Sequence, residues 1–201
     1  MITMTELCEI GKAALGDSIY PNPLYPPSPY YRVLRRFAER LKPKVAVELG
    51  VCGGGGSLHL ALGNPDGAVI GVDFAYDHPE QLEHIGAVCK NFHFHLGKST
   101  ESAKEIYDTY GPIDFLFIDT DHTYDTTMAE YLAFLPYLSD FAVVCFDDLF
   151  RPGMKEAWDN IPEPKERMDF MHPGEYPHGG CFGVHINPSM MIPNGSYLLG
   201  C

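Results

Sequence analysis

Two short segments gather carboxylates where chemistry is usually done. They are Phe117-Ile118-Asp119-Thr120-Asp121-His122-Thr123-Tyr124 and Cys145-Phe146-Asp147-Asp148. Each closes an apolar run, Ile113 to Asp119 and Phe141 to Phe146, with the length and composition of a buried strand. Carboxylates clustered without intervening lysine or arginine repel one another unless a cation joins them. A hard divalent cation such as Mg²⁺ takes oxygen ligands and keeps several waters, which leaves positions for a substrate hydroxyl. Asp119, Asp147 and Asp148 are the candidate ligands. A hydroxyl on such a cation gives up its proton readily, so the demand on a base is modest. The imidazole of His122, three places beyond Asp119, suits that task at neutral pH. Asp121 is the other candidate, either as the base or as the group that orients His122.

A second set of residues points to a nucleoside. The run Val45 to Leu49 leads into Glu48-Leu49-Gly50-Val51-Cys52-Gly53-Gly54-Gly55-Gly56-Ser57, where missing Cβ atoms let backbone approach a ligand and feed a following helix. Glycine richness alone also marks simple turns. Asp73, about twenty residues further on at the end of the next apolar run, sharpens the reading, because a carboxylate there can accept hydrogen bonds from both hydroxyls of a ribose. Nicotinamide dinucleotide sites favour G-x-G-x-x-G, and here Cys52 stands where the second glycine would fall after Gly50.

These residues need a scaffold that brings strand ends together. Ala68 to Asp73 and Phe92 to Leu96 join the runs already named, and their near-continuous apolar character suits parallel strands covered on both faces. Helical spacing lies between them, as in Ala103, Ile106, Tyr107 and Tyr110, and again in Tyr124, Met128, Tyr131, Leu132 and Leu135. Alternation of this kind predicts a doubly wound α/β fold, with ligands beyond the carboxyl ends of the strands. After a helix around Met154 to Ile161, the runs Glu166 to Met171 and Cys181 to Ile186 read as an antiparallel C-terminal pair. The expected whole is a mostly parallel seven-stranded sheet. Residues 1–27 form an N-terminal helix and a proline-rich arm or lid, ending in Tyr20-Pro-Asn-Pro-Leu-Tyr-Pro-Pro27, and 28–201 the main domain. Ser28-Pro29 reads as a helix N-cap followed by proline at the first helical position.

The ordered series Glu48-x-Gly50, Asp73, Asp119-x-Asp121-His122 and Asp147-Asp148 resembles the class I S-adenosylmethionine-dependent methyltransferases. The spacing is similar to the metal-dependent O-methyltransferases of the catechol and caffeoyl-CoA kind. I-D-x-D-H-x-Y followed by F-D-D is closer still to the group of macrolide-sugar, rhamnosyl and cephalosporin-tailoring enzymes. The resemblance runs over about residues 30–187 and implies a Rossmann-like methyltransferase fold with S-adenosyl-L-methionine as donor. It implies that Glu48, Gly50 and Gly53 line the methionine part, that Asp73 holds the ribose, and that Ser99 contacts the adenine region, with Asp119 also beside the donor. In catechol-like members a lysine three residues after the strand-four aspartate is the base, and here that position is His122. Asn22-Pro-Leu-Tyr25 superficially resembles the N-P-P-Y segment of amino-group methyltransferases, but that segment belongs after strand four.

Composition narrows the acceptor. A formal net charge of −13 with only 14 lysines and arginines opposes binding to a phosphate backbone, so no nucleic-acid partner is expected. No stretch approaches the roughly 20 apolar residues of a membrane span, and the N-terminus lacks a signal pattern. Cys8, Cys52, Cys89, Cys145, Cys181 and Cys201 contain no C-x-x-C pair and read as reduced thiols of a soluble, cytoplasmic protein. His93, His95, His172, His178 and His185 read as structural or exposed, and Lys98 and Arg151 as surface charges within reach of an anionic group. The expected partner is a small hydroxylated acceptor, with the aromatic N-terminal segment favouring a homodimer. Two other readings stay open: a nucleoside-binding protein without turnover, and a different enzyme on this scaffold, such as a nicotinamide oxidoreductase or a hydroxylase-like tailoring enzyme.

Overall fold

Runs of Val, Ile, Leu and Phe build the centre of the molecule, because both faces of its inner strands lie under helices. The computed structural model describes residues 2–14, 29–169 and 181–187. Its strands are β1 (Val45–Leu49), β2 (Ala68–Asp73), β3 (Phe92–Leu96), β4 (Ile113–Ile118), β5 (Leu138–Phe146), β6 (Lys165–Asp169) and β7 (Cys181–Ile186). They form one seven-stranded sheet in the order β3-β2-β1-β4-β5-β7-β6. β3 through β5 pair in parallel, while β7 runs antiparallel to both β5 and β6. The expected doubly wound sheet with its antiparallel closing pair is the fold observed.

Helices α1 (Met4–Ala14), α2 (Pro29–Leu41), α3 (Gly55–Gly63), α4 (Pro79–Val88), α5 (Ser99–Tyr110), α6 (Tyr124–Phe134) and α7 (Met154–Asn160) cover the sheet. The period-two alternation of strand side chains divides the core in two. Ala46, Phe115, Phe117 and Val143 point to the face packed by Phe37 of α2, Leu58 of α3 and Ile85 of α4. Val47, Leu116, Ile118 and Val144 point to the other, against Ile106 of α5 and Tyr131 and Phe134 of α6. Burying one such side chain completely contributes about 1.5–3 kcal/mol. α1 packs on α2 and β6.

Three strand boundaries differ from the sequence expectation, the first being the end of β4, at Ile118 rather than Asp119. β5 begins at Leu138 rather than Phe141, because a register irregularity between Ile113 and Phe115 lets Leu138 pair with Ile113. Ser139 and Asp140 interrupt the apolar pattern there, so the extension is invisible to periodicity, and Phe141 bends the strand with a φ of 63°. β6 begins at Lys165 rather than Glu166 and is described to Asp169, and Phe170 and Met171 of the expected run lie outside the described residues. The proline-rich arm over 20–27, Ser28, His172, His178 and the loop from Pro173 to Gly180 lie outside the described residues.

β1 pairs with β2 on one side and β4 on the other. The chain therefore winds towards one edge after β1 and restarts in the opposite direction at β4. A crevice opens at the carboxyl ends of those strands, where open α/β sheets bind ligands.

Candidate active site

The hydrogen-bonded ladder of the sheet continues past the strand ends and fixes the site backbone. Gly50 N donates to Val72 O at 3.0 Å, Asp119 N to Leu49 O at 2.9 Å and Asp147 N to Ile118 O at 3.1 Å. Gly50 has a φ of +82°, and a Cβ there would collide with the carbonyl oxygen of Asp119. Glycine at this position thus lets the turn after β1 lie against the turn after β4.

Just beyond the ladder, three non-glycine residues adopt left-handed conformations: Cys52 (φ 47°), His122 (φ 56°) and Asp148 (φ 49°). Each costs of order 1–3 kcal/mol unless its surroundings enforce it, and such residues cluster where side chains or amides are aimed for function. Cys52 turns its amide to the carboxylate of Asp73, donating to Oδ2 at 3.0 Å, while Ala75 N donates to Oδ1 at 3.2 Å. Asp73 is thereby held at the end of β2 with acceptor capacity left for a ligand.

A cavity of about 690 Å³ runs along these strand ends, lined by Gly50, Asp73, Ser99, Asp119, Asp121 and Glu130 among others. That volume falls in the range of small-molecule and cofactor sites. Phe74, 81% exposed, stands at its rim. Lys98 also lines it but turns its Nζ to Glu101 at 3.2 Å.

Beside the cavity-lining Asp119, His122 Nε2 lies 3.1 Å from Asp119 Oδ1, 3.8 Å from Asp147 Oδ2 and 3.9 Å from Asp148 Oδ2. Burial alone would lower the His122 pKa, but hydrogen bonding and attraction to Asp119 and Asp147 outweigh it and push it up to about 9. Asp119 is raised by burial and by repulsion from Asp147, opposed by its bond to His122. One atom each of Asp119, His122 and Asp147 lies within 4.8 Å of the others, a grouping able to hold a metal ion. Asp147 is buried and its Oδ1 has no hydrogen-bond partner among the described residues. An orphaned buried carboxylate oxygen is costly unless a cation meets it, so this donor set fits one.

The remaining predicted residues fall in different places. Asp148, expected as a third carboxylate ligand, takes Arg151 Nε on Oδ2 at 2.6 Å and stands outside that three-residue grouping. Arg151 is therefore a partner of the site rather than a bystander. Asp121 accepts from Thr126 Oγ1 at 3.0 Å and from Thr123 Oγ1 at 3.2 Å, which ties it to the start of α6. Gly53 faces Gln81 of α4 rather than the cavity.

Glu48 stands behind the glycine loop. It accepts from the Ser57 amide at 2.6 Å and from the Ser57 hydroxyl, fastening the first turn of α3. Burial pushes its pKa up to about 8, against the lowering effect of the Ser57 bonds and with further repulsion from Asp73 and Asp147. The folded value lies above the ordinary 4.5, so stability is greatest when both states carry the proton. As pH rises from about 4.5 to about 8, only the unfolded chain ionises and stability falls, levelling off above that. Glu48→Gln has no proton to lose. The wild type should thus lose stability relative to this variant between those limits, read from urea midpoints of both proteins at the two ends of the range. A difference that does not change with pH would count against it.

Sequence reasoning missed Glu130 and Thr120. Glu130 is fully buried on α6 and accepts from Ser99 Oγ at 2.6 Å and from Thr120 Oγ1 at 2.8 Å. The available signal was a carboxylate on the inward face of a helix, beside Tyr131.

A doubly wound sheet whose strand ends set Asp73 and Asp119 on one cavity, with His122 and Asp147 clustered beside Asp119, is a scaffold with a built small-molecule site. A family model described as a methyltransferase domain matches residues 47–149, and the chain belongs to that family. No curated protein sequence matches it. Among solved structures, it is similar to an O-methyltransferase from Bacillus cereus in complex with SAH, at 18% identity over 91% of this chain and 90% of that one, with a TM-score of 0.66. It is also similar to TomG, an O-methyltransferase from Streptomyces achromogenes involved in tomaymycin synthesis, in complex with SAM (19% identity, 92% of each chain, TM-score 0.65). Cofactor-bound Rv0187 from MTB shares 17% identity over 92% of this chain and 90% of that one, with a TM-score of 0.67. At these identities the likeness is one of fold. Among the described residues no helix is long and apolar enough to cross a membrane.

Proposed function

We propose that this protein transfers the methyl group of S-adenosyl-L-methionine to a hydroxyl of a small molecule, with His122 as base and a divalent cation, Mg²⁺ first, held by Asp119 and Asp147 beside Asp148. The observation that carries this reading is the unpartnered Oδ1 of buried Asp147, clustered with His122 and with Asp119, which lines the same cavity as Asp73. The SAH complex of the Bacillus cereus enzyme and the SAM complex of TomG support the choice of nucleoside. The charge of −13 favours a small acceptor over a nucleic acid.

The donor supplies an electrophilic methyl group. Asp73 accepts from its ribose hydroxyls, and the Gly50 turn allows close approach of its amino-acid portion. A bound dication would make a hydroxyl beside it more acidic and offset the carboxylate charge that keeps a proton on His122. His122 Nε2 then takes the hydroxyl proton, with Asp119 orienting the ring. Asp121, committed to Thr123 and Thr126, shapes the start of α6.

Calorimetric titration tests the reading. S-adenosylhomocysteine should bind with micromolar affinity and NAD should not, and a separate Mg²⁺ heat should vanish in Asp147→Asn. Silence towards the nucleoside overturns the donor assignment. Nucleoside binding without a Mg²⁺ heat removes the metal and leaves the rest.

A further inference from the structure

We infer that Glu130 sets the base selectivity of the donor site: by taking the hydroxyl hydrogens of Ser99 and Thr120, it leaves those two oxygens able only to accept, which suits a 6-amino purine and rejects a 6-oxo one. This rests on the nucleoside-donor reading above.

A hydroxyl has one hydrogen and two lone pairs. Ser99 Oγ spends its hydrogen on Glu130 Oε1 at 2.6 Å, and Thr120 Oγ1 spends its own on Oε2 at 2.8 Å. Glu130 is fully buried, whereas Ser99 and Thr120 are half-buried and line the cavity with it. The carboxylate thus holds the hydroxyls of two cavity-lining residues, each left with lone pairs only. An exocyclic amino group carries two hydrogens and can satisfy both. A carbonyl in its place would set oxygen against oxygen, and the N1–H beside it could meet at most one of the two acceptors.

The position of this end follows from the rest of the site. Asp73 ends β2, which lies between β1 and β3. The reactive part of a donor must face His122, so a ribose on Asp73 directs its base away, towards Ser99 at the start of α5 after β3. Lys98, the one cation among the cavity-lining residues, pairs with Glu101 and so does not offer a competing donor for a carbonyl. Glu130 acts here as a positioning residue, through the two hydroxyls.

The test compares S-adenosylhomocysteine with S-inosylhomocysteine, the same molecule with a 6-oxo base, by calorimetry. The wild type should prefer the adenosyl compound by about 100-fold or more. In Glu130→Gln the amide NH₂ must donate to one of the hydroxyls, which then turns its hydrogen into the cavity. The preference should collapse to within about tenfold, chiefly because the inosyl compound binds better. A merely structural role would weaken both ligands alike and keep the ratio, and that result overturns the inference. Thr120→Val, which removes one acceptor, should weaken the adenosyl compound about tenfold and leave the inosyl compound unchanged. If Glu130→Gln fails to fold in a thermal melt, the wild-type ratio and Thr120→Val decide. Wild-type affinities within about threefold of each other overturn the inference while leaving the donor reading intact. Binding of neither compound overturns both.

Discussion

His122→Ala should lower the rate of methyl transfer by about 10²- to 10⁴-fold and leave S-adenosylhomocysteine affinity unchanged, because the imidazole clusters with Asp119 and Asp147 while the proposed ribose partner is Asp73. The measurement is single-turnover transfer of labelled methyl to a hydroxylated acceptor found by screening. Its direct counterpart is the titration of the ring. In metal-free protein His122 should keep its proton up to about pH 9, and Asp119→Asn should bring that value down, since Asp119 supplies the closest negative charge at 3.1 Å. The raised value also has a sign for stability. The contribution of the charged ring is fully present below the ordinary 6.5 and is lost as pH rises through about 9. Imidazole NMR signals that titrate near 6.5 in both proteins would remove the electrostatic account of the cluster.

Asp73→Ala weakens S-adenosylhomocysteine by about 100-fold or more. Two hydrogen bonds from ribose hydroxyls to a charged acceptor are together worth about 3 kcal/mol, which is about two decades in Kd. Asp73 also accepts from the amides of Cys52 and Ala75, so alanine should free the glycine loop as well as empty the proposed ribose seat. Asp73→Asn keeps one acceptor oxygen and should fall between the two. Affinity retained in the alanine variant would place the ribose elsewhere.

The strand-end carboxylates were legible because a strand buried on both faces reads as an apolar run that stops at its first charged residue. Asp73, Asp119 and Asp147 all sit at or just past such stops. Asp148 looks equivalent to Asp147 in the chain, yet its φ of 49° turns it towards Arg151. The aim of His122 depends in the same way on a left-handed backbone that spacing does not encode. Glu48 was legible as a family position, but its engagement with Ser57 depends on how the glycine loop folds back. Glu130 escaped because its partners, Ser99 at the start of α5 and Thr120 after β4, are distant in the chain and meet it only once α5 and α6 pack together. The extension of β5 was hidden by Ser139 and Asp140, which pattern as loop.

The continuation of the ladder through Gly50, Asp119 and Asp147 divides this molecule into a part that resists redesign and a part that invites it. The carboxylates inherit their positions from the sheet, so exchanging the segments that meet the acceptor does not require re-siting the groups that would activate it. Variation in acceptor choice can thus accumulate in the loops above an unchanged frame, and a directed search for new acceptors belongs there.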